Sequence, residues 1–378
     1  MPINNLGYRK WLGQFSGSLL RWTSITQAGI TIALKSKWIQ RMLFISFLPV
    51  VYIGTAFFFF EKFMEDQSKT RQATDVIRSM RERLLEDESI PLEIREELAQ
   101  QLPEGPDDER IPEELRQQID EILNSQISRR DLPEPLRGLP NVEAVMKSLA
   151  TEDSRVARHT TWCWMLMTFF RYPQGVLMLI MIGLIVPPLI ARDLRSRAIL
   201  IYFSRPIGRL EYLLGKVAIP ATFLALITAL PGMILYLFGV LLSPGFFVIA
   251  DTWDIPFRIM AATAVLIIPT SLLALMYSSL TYESRFATFA WFATWGLGGG
   301  AYVVAYFTQV DMDSPSIPEI SPNWSMLSIY NTVGKVQEWI FGLEPSFTRV
   351  APLVGLLLAI SLFSLVILMR RVHAPINV

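Results

Sequence analysis

The sequence predicts an all-α integral membrane protein of six transmembrane helices, with a charged helical insert outside the membrane between the first two. Three observations predict it. Hydrophobic residues make up 52% of the 378-residue chain and charged residues 18%, with a mean hydropathy of +0.37, well to the apolar side of an ordinary soluble domain. Six runs, 42–60, 172–191, 217–242, 259–282, 286–308 and 350–369, are long enough to cross a hydrocarbon core of about 30 Å, and none contains Asp, Glu, Lys, Arg or His. Finally, Lys and Arg fall unequally on the two sides that those runs define.

Residues 1–41 carry six basic and no acidic side chains, together with Trp11, Trp22 and Trp38. This is the composition of a cytoplasmic amphipathic segment resting on an anionic inner leaflet. A mitochondrial presequence is also basic and acid-poor, but the run that follows fits bacterial inner-membrane topology without cleavage. That run begins only at Met42 and is long enough to stay as an anchor, so no secretory signal is expected.

Residues 61–160 differ in kind, with 24 acidic and 15 basic residues against 10 and 19 in the rest of the chain. A loop of this length translocates despite its arginines, because the orientation rule governs short loops. Apolar residues recur at helical spacing at Ala73, Val76, Ile77, Met80 and Leu84, and again at Leu115, Ile119 and Ile122. Pro91, Pro103, Pro106, Pro112, Pro133, Pro135 and Pro140 cut the segment into short helices. Two readings fit: a small extracytoplasmic helical domain with a thin core that leans on a partner, and a solvated charged spacer. Cys163 is the chain's one cysteine, so no internal disulfide forms and the thiol reads as a packing residue.

The remaining residues, 161–378, hold the other five spans. Pro187 and Pro188 would shorten regular helix in the second span unless neighbours satisfy the freed carbonyls. After it comes the loop 192–216, with six basic residues and two acidic ones. With the N-terminus inside, 15 basic residues lie on the inner side; Arg171, Arg258, Lys335 and Arg349 lie on the outer side. That asymmetry sets the orientation, and six spans place both termini in the cytoplasm.

What the spans lack excludes several functions. No ionisable residue lies within a predicted span to drive ion coupling or a proton relay. His159 and His373 both fall outside, so neither a bis-histidine haem nor a base for Ser278 or Ser279 is available. Ser278 and Ser279 read as small polar residues where helices pack. The chain also lacks GxxxxGK[ST], since Gly215-Lys216 has no upstream glycine at the needed spacing. If this is a pump, its motor is another polypeptide.

The loop 192–216 is built for contact. Its apolar run 198–203, ending in Tyr202 and Phe203, is flanked by Arg195 and Arg197 before it and by Arg205-Pro206 after it. Pro206 fixes its own φ and pushes Arg205 out of the α region, so a short helix ends there. An apolar knob in a basic rim suits the groove of a soluble domain; a loop held on anionic headgroups is the alternative. Arg192-Asp193-Leu194, Ser204-Arg205-Pro206-Ile207, and Arg209 with Glu211-Tyr212-Leu213-Leu214-Gly215-Lys216 resemble the segment after the second span in permease subunits of ABC-2 type ABC transporters. Members of that family often carry glycine where Arg197 stands. The resemblance implies a six-helix permease bundle and an ABC ATP-binding subunit that holds ATP and Mg. It also implies a second permease chain, identical or not, and export as the direction. It makes Arg192, Asp193, Arg195, Arg197, Tyr202, Phe203, Arg205, Pro206, Arg209, Glu211 and Tyr212 the coupling candidates. No catalytic, metal or cofactor site is expected in this chain. The insert 61–160 lies outside the family pattern and inherits no function from it.

Tyr282-Glu283-Ser284-Arg285 offers a second inner contact. Pro220, Pro231, Pro269 and Pro352, with Gly296 and Gly298-Gly299-Gly300, permit kinks or close helix approach. The outer segment 309–349, with Trp324 and Trp339, suits interfacial helices that could form an outer gate. Membrane lipids are expected partners and nucleic acid is not. The rival functional reading is a membrane receptor or scaffold whose external domain binds a ligand or envelope protein; a passive channel is a third.

Overall fold

The computed structural model describes residues 21–86, 144, 145, 148, 154–198, 202, 208–243, 245, 247–309 and 322–372, and among them there is no strand. Most of the insert, residues 1–20 and the loop residues Phe203, Arg205 and Pro206 lie outside that set.

The chain enters through α1 (Arg21–Leu34) and α2 (Lys37–Ile45), then rises through α3 (Leu48–Glu86). Pro49 stands in the first turn of α3, where no amide bond is lost. At 39 residues α3 is about 58 Å long and runs unbroken from the apolar sequence into the charged insert. The return run extends from Ser154 to Arg195 as α4 (Ser154–Phe169), a π-helical turn (Phe170–Gln174), α5 (Gly175–Ile185) and α6 (Pro187–Arg195). It is far longer than the expected span 172–191, and it contains Arg171, which the sequence places outside.

Two prolines shape that run. Pro173 has no amide to give, and the π turn absorbs the missing bond while turning Gln174 inward, where its Nε2 donates to Ser46 O at 3.0 Å. The helix breaks at Val186, and another helix bridges the backbone just after it: Ser278 Oγ donates to Pro187 O at 2.7 Å and accepts from the amides of Ile190 and Ala191, both at 3.1 Å. A single hydroxyl thus pairs three backbone groups of the first turn after the break, where lipid offers no water to do so.

After the loop that follows α6, α7 (Arg209–Ile227) and α8 (Ala229–Leu242) meet at Thr228, three residues before Pro231, and the Gly232 amide donates to Thr228 O at 3.0 Å. A short α9 (Val248–Asp251) leads to α10 (Ile255–Leu280), followed by α11 (Ser284–Gln309), α12 (Pro322–Ser325), α13 (Ile329–Ile340) and α14 (Phe347–Arg371). The core forms where α10 packs against α6, α7, α13 and α14. Because lipid tails are as apolar as leucine, such helices cohere through close fit and hydrogen bonds. Gly215 lets α1 lie against α7, since a Cβ there would sit 2.9 Å from Ile25 Cβ and 3.0 Å from Trp22 O. Thr26 Oγ1 then donates to Gly215 O at 3.1 Å.

Five of these segments are long and apolar enough to cross a membrane: Lys37–Asp66, Ser154–Arg195, Arg209–Leu242, Ile255–Leu280 and Phe347–Arg371. The other expected span, 286–308, forms the unbroken 26-residue α11, long enough to cross but less apolar because of its Gly, Trp, Tyr and Thr. Of the flagged prolines, Pro220, Pro269 and Pro352 lie within helices that continue through them.

Candidate coupling site

One end of the bundle is organised by the junction of α6 and α7. Asp193, on the last turn of α6, receives the Tyr212 hydroxyl at 2.8 Å and pairs with Lys216 Nζ at 2.7 Å. Lys216 also donates to Leu189 O at 2.9 Å, and its ammonium lies over the rings of Tyr202 and Tyr212 at 5.6 and 5.5 Å. The side chains of Asp193 and Lys216 are 15% and 7% exposed. Burying two charges is offset only when the remaining donors and acceptors are met, and the carbonyl, hydroxyl and two ring faces meet them here. Burial and the Asp193 carboxylate push the Tyr202 phenol above its ordinary range.

Around this buried knot stand exposed cations. Arg192, Arg195, Arg197 and Arg209 all face outward, while Tyr212 is fully buried. Tyr212 and Asp193 therefore hold the loop's base, and the arginines form its surface. Glu211 is half-buried and accepts from the Gly208 amide at 2.8 Å, which satisfies one of the orphan donors at the start of α7. Arg197 has φ +55°, the one positive value at a non-glycine residue among those described. It follows the Ser196 cap of α6 in the left-handed position that usually takes glycine. Nearby, the turn after α10 exposes Tyr282 and the Glu283–Arg285 pair.

The opposite end carries its own polar network, which sequence reasoning did not resolve. Glu61, 2% exposed, accepts from Arg158 Nε at 3.2 Å, Trp162 Nε1 at 2.9 Å and Ser243 Oγ at 3.1 Å, and so ties α3, α4 and the end of α8 together. Asp254 bridges His159 Nε2, at 2.9 Å, and Arg258, whose Nη1 donates to Ile340 O at 2.6 Å. Burial raises the Asp254 carboxyl, but the hydrogen bonds and charges of Arg258 and His159 outweigh it and hold the group below its ordinary value. Cys163 Sγ lies 3.9 Å from His159 Nδ1, yet the thiol is fully buried and no substrate reaches it. Nothing in the sequence joined Glu61 to Arg158 across 97 residues.

No cluster of three or more metal-ligating side chains occurs among the described residues. Compared with known families, residues 30–371 match the one described as ABC-2 family transporter protein. No curated protein and no solved structure matches the chain.

Proposed function

Since the chain belongs to the ABC-2 transporter family and is a multi-pass membrane component of such a transporter, we propose that it is the permease subunit of an ATP-driven exporter, coupled through residues 192–216 to a separate ATP-binding subunit. ATP and Mg are held by that subunit, and two permease chains complete the assembly. The observation that carries this reading is the exposed arginine rim, Arg192, Arg195, Arg197 and Arg209, mounted on a buried Asp193–Lys216 pair. A contact loop must be open on its surface and rigid at its base, because a push from a soluble domain moves the spans only if the loop does not yield. Here the base joins α6 to α7, so a force on the loop reaches two spans together. Six spans put this loop, the 281–284 turn and both termini on the cytoplasmic side of a bacterial inner membrane.

The test is affinity purification of the tagged full-length chain from its native host in mild detergent, alongside Arg195→Glu and Arg205→Glu. A nucleotide-hydrolysing subunit should co-purify in stoichiometric amount and be depleted at least severalfold by either substitution. Recovery of no ATPase, where a known complex survives the same detergent, would overturn the reading and favour the receptor or scaffold.

A further inference from the structure

We infer that Arg171 is the anion-binding residue of a cargo subsite inside the bundle, taking a carboxylate or phosphate headgroup whose acyl tail lies along the apolar wall. This rests on the permease reading and adds the class of cargo to it. Arg171 lies within helix, 21 residues or about 31 Å of rise from Arg192 at the inner end. Leu266, which lines the same cavity, is eight residues or about 12 Å of α10 inside Arg258. The cation therefore sits towards the Arg258 end of the apolar core and not at its centre, and even there an ionisable residue is costly unless it has a task.

Among the described residues no carboxylate pairs with it. Its Nη1 donates to Tyr330 O at 2.9 Å, its Nη2 donates to Asn331 Oδ1 at 2.6 Å, and the guanidinium lies 4.5 Å from the centre of the Tyr330 ring. Two of five N–H donors are thus used by neutral acceptors, and the positive charge is left without a counter-ion. Gly334 is the reason the group fits, because a Cβ at that position would overlap the guanidinium. A second, independent group points the same way. Trp295, 9% exposed, lines the same cavity, and its Nε1 has no hydrogen-bond partner. A buried indole N–H left unmatched is a donor waiting for an acceptor. The cavity holds about 10 Å³ in this conformation, room for about one water. Admitting a headgroup requires α13, which carries Tyr330, Gly334 and Gln337, to move away from α5 and α11. The rest of the wall, Phe170, Met178, Leu266 and Val333, is apolar and suits an alkyl chain.

The test is equilibrium binding of radiolabelled oleate and of an oleoyl lysophosphatidate to the full chain in nanodiscs of neutral lipid, with oleyl alcohol as the uncharged control. No ATPase is present, so failure of the coupling proposal leaves this result untouched. At least one anion should bind, Arg171→Gln should weaken it tenfold or more, and Trp295→Phe should weaken it severalfold. Binding of oleate alone marks a carboxylate cargo, of the lysophosphatidate alone a phosphate cargo, and of both a general oxoanion site. Wild-type affinity in Arg171→Gln, or equal binding of oleyl alcohol, overturns the proposal. If Arg171→Gln does not fold, wild-type affinity in Trp295→Phe overturns it instead.

Discussion

Lys216 illustrates how a residue's surroundings decide its role. In sequence it is one of six cations in a basic loop; in the structure it is nearly sealed, with Asp193, Leu189 O and two tyrosine rings around it. Removing one partner of such a pair strands the other, at a cost of about 3–5 kcal/mol. We expect Lys216→Met to lower the thermal unfolding midpoint of the detergent-purified chain well beyond Arg195→Glu, whose side chain is exposed. Adding Asp193→Asn to Lys216→Met should restore part of the loss, and a double variant no more stable than the single one would show that the pair is not coupled. Tyr212 was legible as part of the motif but not as a buried donor, because nothing local tells a tyrosine at an inner interface which way to turn. Arg197 was not legible: standing where members of the family often carry glycine, it left the local turn unread, and φ is +55°. A left-handed L-residue costs roughly 1–2 kcal/mol, so Arg197→Gly should stabilise the fold by about 1 kcal/mol while removing one cation from the rim. Asp254 sets a pH limit at the outer end. Its carboxyl is held below its ordinary value, so the stability it contributes is present above the unfolded carboxylate range and is lost as pH falls through the lowered folded value. The thermal unfolding midpoint should therefore fall in acid below about pH 4, less steeply in Asp254→Asn.

At the scale of elements, hydropathy found the apolar cores of the helices but not their ends. Apolar runs report where lipid can lie; helices continue for as long as backbone bonds and caps allow. Hence α3 passes from Phe60 into the charged insert without a break, and the run through Arg171 outlasts the expected second span by more than a turn at each end. The prolines show the same limit. Pro173, which drew no attention in the sequence, lies in a π turn, whereas Pro220 and Pro269 sit in continuous helix. Whether a proline bends a helix depends on what its neighbours donate, as Ser278 does for Pro187. The docking of α1 on α7 was equally hidden, since a basic, acid-free segment reads as lying on lipid. It depends on Gly215, so Gly215→Val should force α1 away from Ile25 and the Trp22 carbonyl. Limited proteolysis of inside-out vesicles should then cut between α1 and α2 at least several times faster than in wild type. Equal rates would mean that α1 is held by other contacts.

For the whole molecule, the open quantity is the number of crossings, and it turns on α11. Length allows it to cross, because 26 residues rise about 39 Å, and no charged residue follows Arg285 within it. Its lower hydropathy comes from glycines and aromatics that suit helix contact as well as they suit lipid. Charge placement favours crossing. Arg285 stands at one end of α11 beside the inner turn, while α13 and Arg349 follow its other end, and Arg370 with Arg371 close α14. If α11 did not cross, Arg349 would share the inner side and the two C-terminal arginines would be carried outside, against the positive-inside bias. Single cysteines placed at exposed Arg285, Arg349 and Arg371 in a Cys163→Ser background resolve this, since Cys163 is the chain's one thiol. A membrane-impermeant maleimide should label Arg349→Cys in intact cells, and Arg285→Cys and Arg371→Cys only after the membrane is opened. Protection of Arg349→Cys together with labelling of Arg371→Cys in intact cells would reduce the bundle to five spans and move the C-terminus outside.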